Sequence, residues 1–151
     1  GSPHAQLAAI ALEKNDRHRA LAELQALVAV DFDNIDAARQ LASLLREAGV
    51  RDEAKLRPVF ERIAAIDPFD ADAHATLGRL AMQRGEPDTA AREFRTVIGL
   101  GPVDRAAAIT DLAESYLRGG RRAEAKKQTL AALEIAPSYE RAQALLLQLV
   151  D

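Results

Sequence analysis

Apolar and small residues mark this chain at a near-constant interval. A Leu followed by a small residue recurs as Leu7-Ala8, Leu41-Ala42, Leu77-Gly78 and Leu112-Ala113, in steps of 34, 36 and 35 residues. Eight residues after each Leu stands a residue at ease with positive φ: Asn15, Gly49, Gly85 and Gly120. Thirteen after each Leu comes an Ala: Ala20, Ala54, Ala90 and Ala125. Twelve after that Ala come Phe32, Pro102 and Pro137, with Pro68 two residues late. Each mark predicts part of a helix–turn–helix. The Leu fills the seam between two antiparallel helices, and its small neighbour lets the backbones approach. Gly or Asn ends the first helix in a left-handed cap, where a Cβ is penalised. The Ala sits where the returning helix crosses closely, and Pro stops that helix and turns the chain onward. Asn34, Asp70, Asp104 and Ser138 lie where a side-chain oxygen caps the orphan amides of the next helix.

Alternating runs of Val, Ile, Thr and aromatics are missing, so no strand is predicted and the chain reads as all-α. With these marks the chain resembles the tetratricopeptide-repeat family, whose unit is a helix–turn–helix of 34 residues. The clearest unit runs from Ala71 to Asp104, matching at Leu77, Gly78, Gly85, Ala90, Phe94 and Pro102. The next, Ala106 to Glu140, matches at Leu112, Tyr116, Gly120, Ala125, Ala132 and Pro137, while residues 1–34 and 35–70 match more loosely. The resemblance implies a right-handed α-solenoid of antiparallel helix pairs: one domain over 1–151, with repeats near 1–34, 35–70, 71–105 and 106–140. A final helix over 138–150, with Ala142, Leu145, Leu146 and Leu149 on one stripe, reads as the cap that such a stack needs.

Departures from the family pattern carry expectations too. The family's early aromatic is replaced by His4, Ala38, His74 and Ile109. Phe32 stands where the terminal Pro is expected, which predicts a less defined turn. Two extra residues between Ala54 and Ile63, near Pro58, predict a kinked or late-starting helix, since a proline there removes a hydrogen bond and clashes with the preceding turn. The first helix, with Leu7, Ala8, Ile10 and Ala11, has no cap before it, so that face is expected to meet further repeats, another domain or a second copy of the chain.

Composition narrows the function. Ala, Leu, Glu and Arg dominate, with a formal charge of −3 and a sequence pI near 5.7, far from the basic balance of a nucleic-acid-binding domain. No apolar run approaches the ~20 residues of a membrane span. There is no Cys, which excludes disulfides and thiolate chemistry and leaves the compartment, cytosol or periplasm, open. The opening Gly1-Ser2 reads as a cloning scar, so the chain is expected to be a piece of a longer protein. Plentiful Ala and Arg with little Lys, Asn or Ile suit a GC-rich bacterial genome.

No residue pattern points to catalysis, a metal or a cofactor. His4, His18 and His74 have no ligand spacing. Asp67, Asp70 and Asp72 lack the further ligands, the bend Gly and the closing Glu of a calcium loop, and read as a turn and a helix cap. Gly99-Leu100-Gly101 follows no strand and is not a phosphate cradle. The basic stretch Arg118-Gly119-Gly120-Arg121-Arg122, continued by Lys126 and Lys127, has no aromatic platform and reads as a helix-ending turn and a solvated face.

In the family the first helix of each unit lines an inner groove along which peptides lie. On the side of those helices away from the Leu seam, helical spacing collects four sets here. The first, Ala5, Ala9, Leu12 and Glu13, is mostly apolar. The others are Arg39, Ser43, Arg46 and Glu47; Ala75, Arg79, Met82 and Gln83; and Thr110, Glu114, Leu117 and Arg118. Relatives that clamp a terminal carboxylate use Lys and Asn at places that here carry Ala5, Ala9, Gln40, Asp72 and Thr76, so that clamp is not expected. Arg39, Arg46, Arg79 and Arg118 remain as candidates to grip an extended, partly acidic segment, with pairing to Asp36, Glu47, Asp72 and Glu114 as the alternative. The candidate groove is thus Arg39, Ser43, Arg46, Arg79, Met82, Gln83, Thr110, Glu114 and Arg118. The reading is a non-catalytic scaffold for a protein or peptide partner. The alternatives are an accessory carboxy-terminal region of a larger hydrolase or peptidase, or a self-association module pairing through the first helix.

Overall fold

The computed structural model describes residues 2–150, all helix and connecting turn. The chain divides into two compact units, one ending at Asp70 and the other beginning at Ala71. The first holds α1 (Pro3–Glu13), α2 (Arg17–Val30), α3 (Ile35–Glu47) and α4 (Glu53–Ile66), each packed on the next. The second holds α5 (Ala71–Gln83), α6 (Pro87–Gly99), α7 (Arg105–Arg118), α8 (Arg122–Ile135) and α9 (Glu140–Leu149), again stacked in order, with α9 also reaching α7.

The first helix of every pair ends in the same way, and the sequence marks explain it. Asn15, Gly49, Gly85 and Gly120 all have φ between 57° and 76°. That conformation lets two successive amides turn back onto the helix: Gly49 N–H donates to the Arg46 carbonyl, and Val50 N–H to that of Leu45. The same pair of bonds recurs at Asn15/Asp16, Gly85/Glu86 and Gly120/Arg121, satisfying carbonyls that would otherwise be orphaned. At the helix starts, Asn34 caps α3 by accepting from Ala37 N–H at 3.0 Å, and Asp104 caps α7 through Ala107 N–H at 3.0 Å. Ser2, Asp16 and Asp52 do the same for α1, α2 and α4. Ser138 does not: α9 starts at Glu140 behind Tyr139, with no side-chain cap, because the turn through Pro137 and Ser138 places the helix start two residues later.

Small residues occupy the crossings. Ala20, Ala90 and Ala125 are each the fourth residue of their helix and wholly buried, and Ala8, Ala42 and Ala113 are buried opposite. The second pair of the first unit departs from this. α4 begins twelve residues after Leu41, whereas α2, α6 and α8 begin ten after Leu7, Leu77 and Leu112. Its fourth residue is therefore Leu56, 8% exposed, and Ala54 faces solvent. The agreement of Ala54 with the repeat was one of number only. With Leu at the crossing, α3 and α4 pack more sparsely than the other three pairs. Within this shifted helix Pro58 causes no break, and α4 is continuous from Glu53 to Ile66. Pro58 and Ala54 both lie on the solvent side, so water can satisfy the Ala54 carbonyl that Pro58 leaves without its partner.

The turn at Phe32 is closed in the same way as those at Pro68 and Pro137, by a longer bond of 3.4 Å against 3.1 Å in both of the others. Asn34 N–H donates to Asp31 O, as Asp70 N–H does to Asp67 O and Tyr139 N–H to Ala136 O. Arg62 replaces what proline supplies elsewhere: its guanidinium lies over the Phe32 ring at 4.0 Å, and its Nη1 donates to the Val28 carbonyl at 2.8 Å.

Phe94 stands at the centre of the second unit's core with Ala81, Ala90, Ala91, Leu112, Ala113, Tyr116 and Ala125, and Leu145 and Leu149 of α9 close it. Gly78 borders that ring so closely that a Cβ there would lie 2.5 Å from it. Phe94 is only 2% exposed and has little room to retreat. Gly78→Ala should therefore lower stability by about 1–2 kcal/mol, because overpacking at roughly 1–3 kcal/mol outweighs a helix-propensity gain of up to about 1. Urea denaturation measures this, and a variant as stable as the parent would remove crowding by Phe94 as the reason for glycine.

Candidate functional site

The nine candidate groove residues fall into both units, and the structure treats the two sets differently. In the second unit α5 presents Arg79, Met82 and Gln83, and α7 presents Glu114 and Arg118. Together with Asp111, Phe94 from α6 and Arg141 from α9, these five line one open cleft of about 520 Å³. Its acids are already engaged. Arg141 Nε donates to Glu114 Oε1 at 3.1 Å, and its Nη2 donates to Glu114 Oε2 at 3.0 Å and to Asp111 Oδ1. Burial works against the charge on Arg141, but hydrogen bonds with Glu114, Asp111 and Tyr139 outweigh it and raise its pKa above the ordinary guanidinium value. The other two cations are not neutralised. Arg79 Nη2 donates to the Thr76 hydroxyl at 3.2 Å, and among the described residues neither Arg79 nor Arg118 makes an ion pair.

Thr110 is not part of any groove. It is wholly buried, and its hydroxyl donates to the Ala106 carbonyl at 2.8 Å, one turn back. Helical spacing placed it on the side away from Leu112, but α7 is packed by neighbours on more than one side: Ala106, Ala108, Ile109, Leu112, Ala113, Ser115 and Tyr116 are buried with it. A helix enclosed in this way has only a narrow free strip, where Glu114 and Arg118 lie.

In the first unit the cations are already engaged. Arg39 Nη2 donates to Asp67 Oδ2 at 2.9 Å and Asp70 Oδ2 at 3.2 Å. The Asp70 hydrogen bond is the main cause of its raised pKa, with Asp67 adding to it and partial desolvation opposing. Arg46 lies over the Phe60 ring at 4.8 Å. Ser43 lines a smaller cleft of about 260 Å³ with Leu12, Asn15, Arg17, Gln40, Leu44 and Glu47. Of the acids offered as partners, Glu47 pairs with Arg17 and Glu114 with Arg141, while Arg39 pairs with Asp67 and Asp70. Asp67 also accepts from Phe69 N–H, so the acidic run is a turn tied to an arginine. On α1, Ala8 and Ala11 are buried while Ile10 and Leu12 are exposed. These last two point about 200° apart around the helix and form no single apolar stripe.

Two further ties were missed in the sequence although their spacing was visible. His4 Nδ1 lies 2.8 Å from Glu23 Oε2, and His74 Nδ1 lies 2.7 Å from Glu93 Oε2. Each His stands three residues before its Leu and each Glu three after its Ala, so one cross-pair contact is used in both units. In the basic stretch, Arg121 forks onto Glu124 and covers the Tyr116 ring, and Arg122 donates to the Gln148 carbonyl. Among the described residues no cluster of His, Asp and Glu is arranged to hold a metal, and no helix is long and apolar enough to cross a membrane.

No protein-family model and no curated protein matches the chain. Solved structures do match its fold. MamA from Desulfovibrio magneticus RS-1 aligns at 17% identity with a TM-score of 0.71, over 95% of this chain and 79% of that one. The thermophilic TPR protein TTC0263 of Thermus thermophilus aligns at 24% identity and a TM-score of 0.60, over 95% and 77%. PilF of Pseudomonas aeruginosa aligns at 17% identity and 0.66, over 97% and 65%. The chain has the tetratricopeptide-repeat fold: all-α, an α-solenoid of antiparallel helix pairs.

The contrast among the cleft arginines is measurable as stability. Arg79→Ala and Arg118→Ala should each change unfolding by less than about 0.5 kcal/mol, as for exposed positions outside any ion pair. Arg141→Ala should cost about 1 kcal/mol, kept small by water around a side chain 37% exposed. Urea titration of the three variants checks the order, and an Arg118 or Arg79 variant less stable than the Arg141 variant would contradict it.

Proposed function

Taking the tetratricopeptide-repeat fold as premise, we propose that this chain is a non-catalytic interaction scaffold that holds a polypeptide segment in the cleft of its second unit. The observation that carries the reading is the pair Arg79 and Arg118, uncompensated beside the apolar Met82 and the neutral Gln83. A guanidinium offers a planar fork of donors suited to carboxylates and backbone carbonyls. Met is flexible and polarizable, and adapts to side chains of different shape. Gln83 both donates and accepts, which suits a peptide backbone. A volume of about 520 Å³ is enough for a few side chains. The chemistry of the lining favours binding over catalysis, since it consists of Arg, Met, Gln, Phe, Asp and Glu and its two acids are held by Arg141.

The test is affinity capture from lysate with identification by mass spectrometry. Wild type is set beside Arg79→Glu/Arg118→Glu, with Arg39→Ala as a control at an arginine already paired. A protein retained by wild type and by the control, and lost from the still-folded double variant, is the expected result. Equal capture by all three would remove the cleft as the binding site.

A further inference from the structure

We propose that Arg141, supplied by the capping helix α9, sets the charge preference of this cleft. By holding Asp111 and Glu114 it offsets part of their charge and occupies their oxygens, and leaves Arg79 and Arg118 as the cations without a carboxylate partner among the described lining residues. The cleft then selects an extended polypeptide segment carrying Asp or Glu next to an apolar side chain. The proposal rests on the reading above, that the cleft holds a polypeptide.

The geometry separates two roles among three arginines in one cleft. Arg141 is bidentate on Glu114 and reaches Asp111 as well, so all its polar capacity on that side is directed at the acidic wall formed by α7. Arg79 and Arg118 come from α5 and α7 and meet no carboxylate among the described residues. Without Arg141 the lining would carry two cations and two acids, and the acids would attract Lys or Arg from a ligand or draw Arg79 and Arg118 onto themselves. With Arg141 the acids are satisfied and the cleft is cationic by one charge, three against two. A like-charged ligand side chain placed there is repelled, so Arg141 excludes basic segments as much as it favours acidic ones. Met82 beside these cations sets the second requirement, an apolar neighbour for the acid.

The helix that delivers Arg141 is held firmly enough to do this. Leu145 and Leu149 are buried in the core around Phe94, and Arg122 of α8 donates to the Gln148 carbonyl near the far end of α9. Arg141 is thus a positioning residue: its proposed effect on ligand choice passes through the acids it holds.

The experiment pans a phage-displayed library of random twelve-residue peptides on the full chain and on three variants, each checked for fold by circular dichroism. The quantity read is the ratio of acidic to basic residues in the enriched peptides. Wild type should enrich Asp or Glu next to apolar residues. Arg141→Met should lower the acidic-to-basic ratio by about tenfold, the effect of one partly screened charge at close range. Asp111→Asn/Glu114→Gln, which frees Arg141, should raise the ratio by a similar factor, and Arg79→Ala/Arg118→Ala should abolish acidic enrichment. A mere loosening of α9 would move the Arg141 and Asp111/Glu114 variants in the same direction. Should Arg141→Met not fold, the opposite shift in the Asp111/Glu114 variant still decides. Wild type enriching no peptide would overturn the polypeptide-cleft reading itself. Acidic enrichment left unchanged or shifted the same way by both variants would overturn only the role of Arg141, and enrichment of neutral or basic peptides by wild type would overturn its selectivity.

Discussion

Helix pairs in this chain depend on one steric condition, that nothing larger than Ala stands where the two helices of a pair cross. Ala20, Ala90 and Ala125 meet it with no exposed surface, and Gly78 meets it where even a methyl group would strike Phe94. Close approach lets side chains on both helices interdigitate at interior density, which is where most of the dispersion and apolar stabilisation arises. The condition also decides orientation: once the seam side of α5 or α7 is committed to its partner, only the remaining strip can face a ligand. Where the condition fails, at Leu56, the pair packs more loosely, and the unit relies more on arginine ties such as Arg62 to Val28 and Phe32.

That condition is also why the fold could be read from sequence while the site could be read only in part. Small residues and left-handed caps leave few substitutes, so Ala, Gly and Asn show themselves at fixed spacing. Ala54 was misread because it matched by count, and the count was broken by the two-residue shift that delays α4. Phe32 misled for a different reason: a turn has more than one means of stabilisation, and an aromatic ring under a guanidinium is not visible as a motif. Surface charge is less constrained still. Arg39 and Arg79 look alike on paper, and only the fold brings Asp67 and Asp70 to one and leaves the other, among the described residues, without a carboxylate. Arg141 could not be singled out, since α2, α7 and α8 also carry an arginine in their first turn and only the return of α9 to α7 gives it Asp111 and Glu114.

Arginine has three uses here, and they separate by what surrounds each guanidinium. Over an aromatic ring or beside a carbonyl, as with Arg46 and Arg62, it fastens local structure and has little capacity left for a ligand. Forked onto carboxylates, as with Arg39, Arg121 and Arg141, it offsets acidic charge and fixes an orientation. Beside apolar and neutral side chains, as with Arg79 and Arg118, its donors are satisfied mainly by water. Water is displaced more readily than a carboxylate, which is why the proposed ligand contacts fall at those two positions.

The capping helix joins these uses. A helix that served only to cover the last pair would need an apolar stripe against it, which Ala142, Leu145 and Leu149 already provide, with Gln143, Ala144, Leu147 and Gln148 exposed on the other side. Arg141 adds nothing to that cover, because its side chain points to the acids of α7 and not to the apolar core. Its presence in the first turn, where the helix dipole disfavours a cation, carries a small cost that Asp111 and Glu114 offset. The same contact therefore contributes to two properties at once: it holds the near end of α9, and it determines which charges the cleft leaves open. Any change that lifts α9 would expose Leu145 and Leu149 and release the acids together, so in this unit the integrity of the cap and the preference we propose for the cleft are coupled through a single guanidinium.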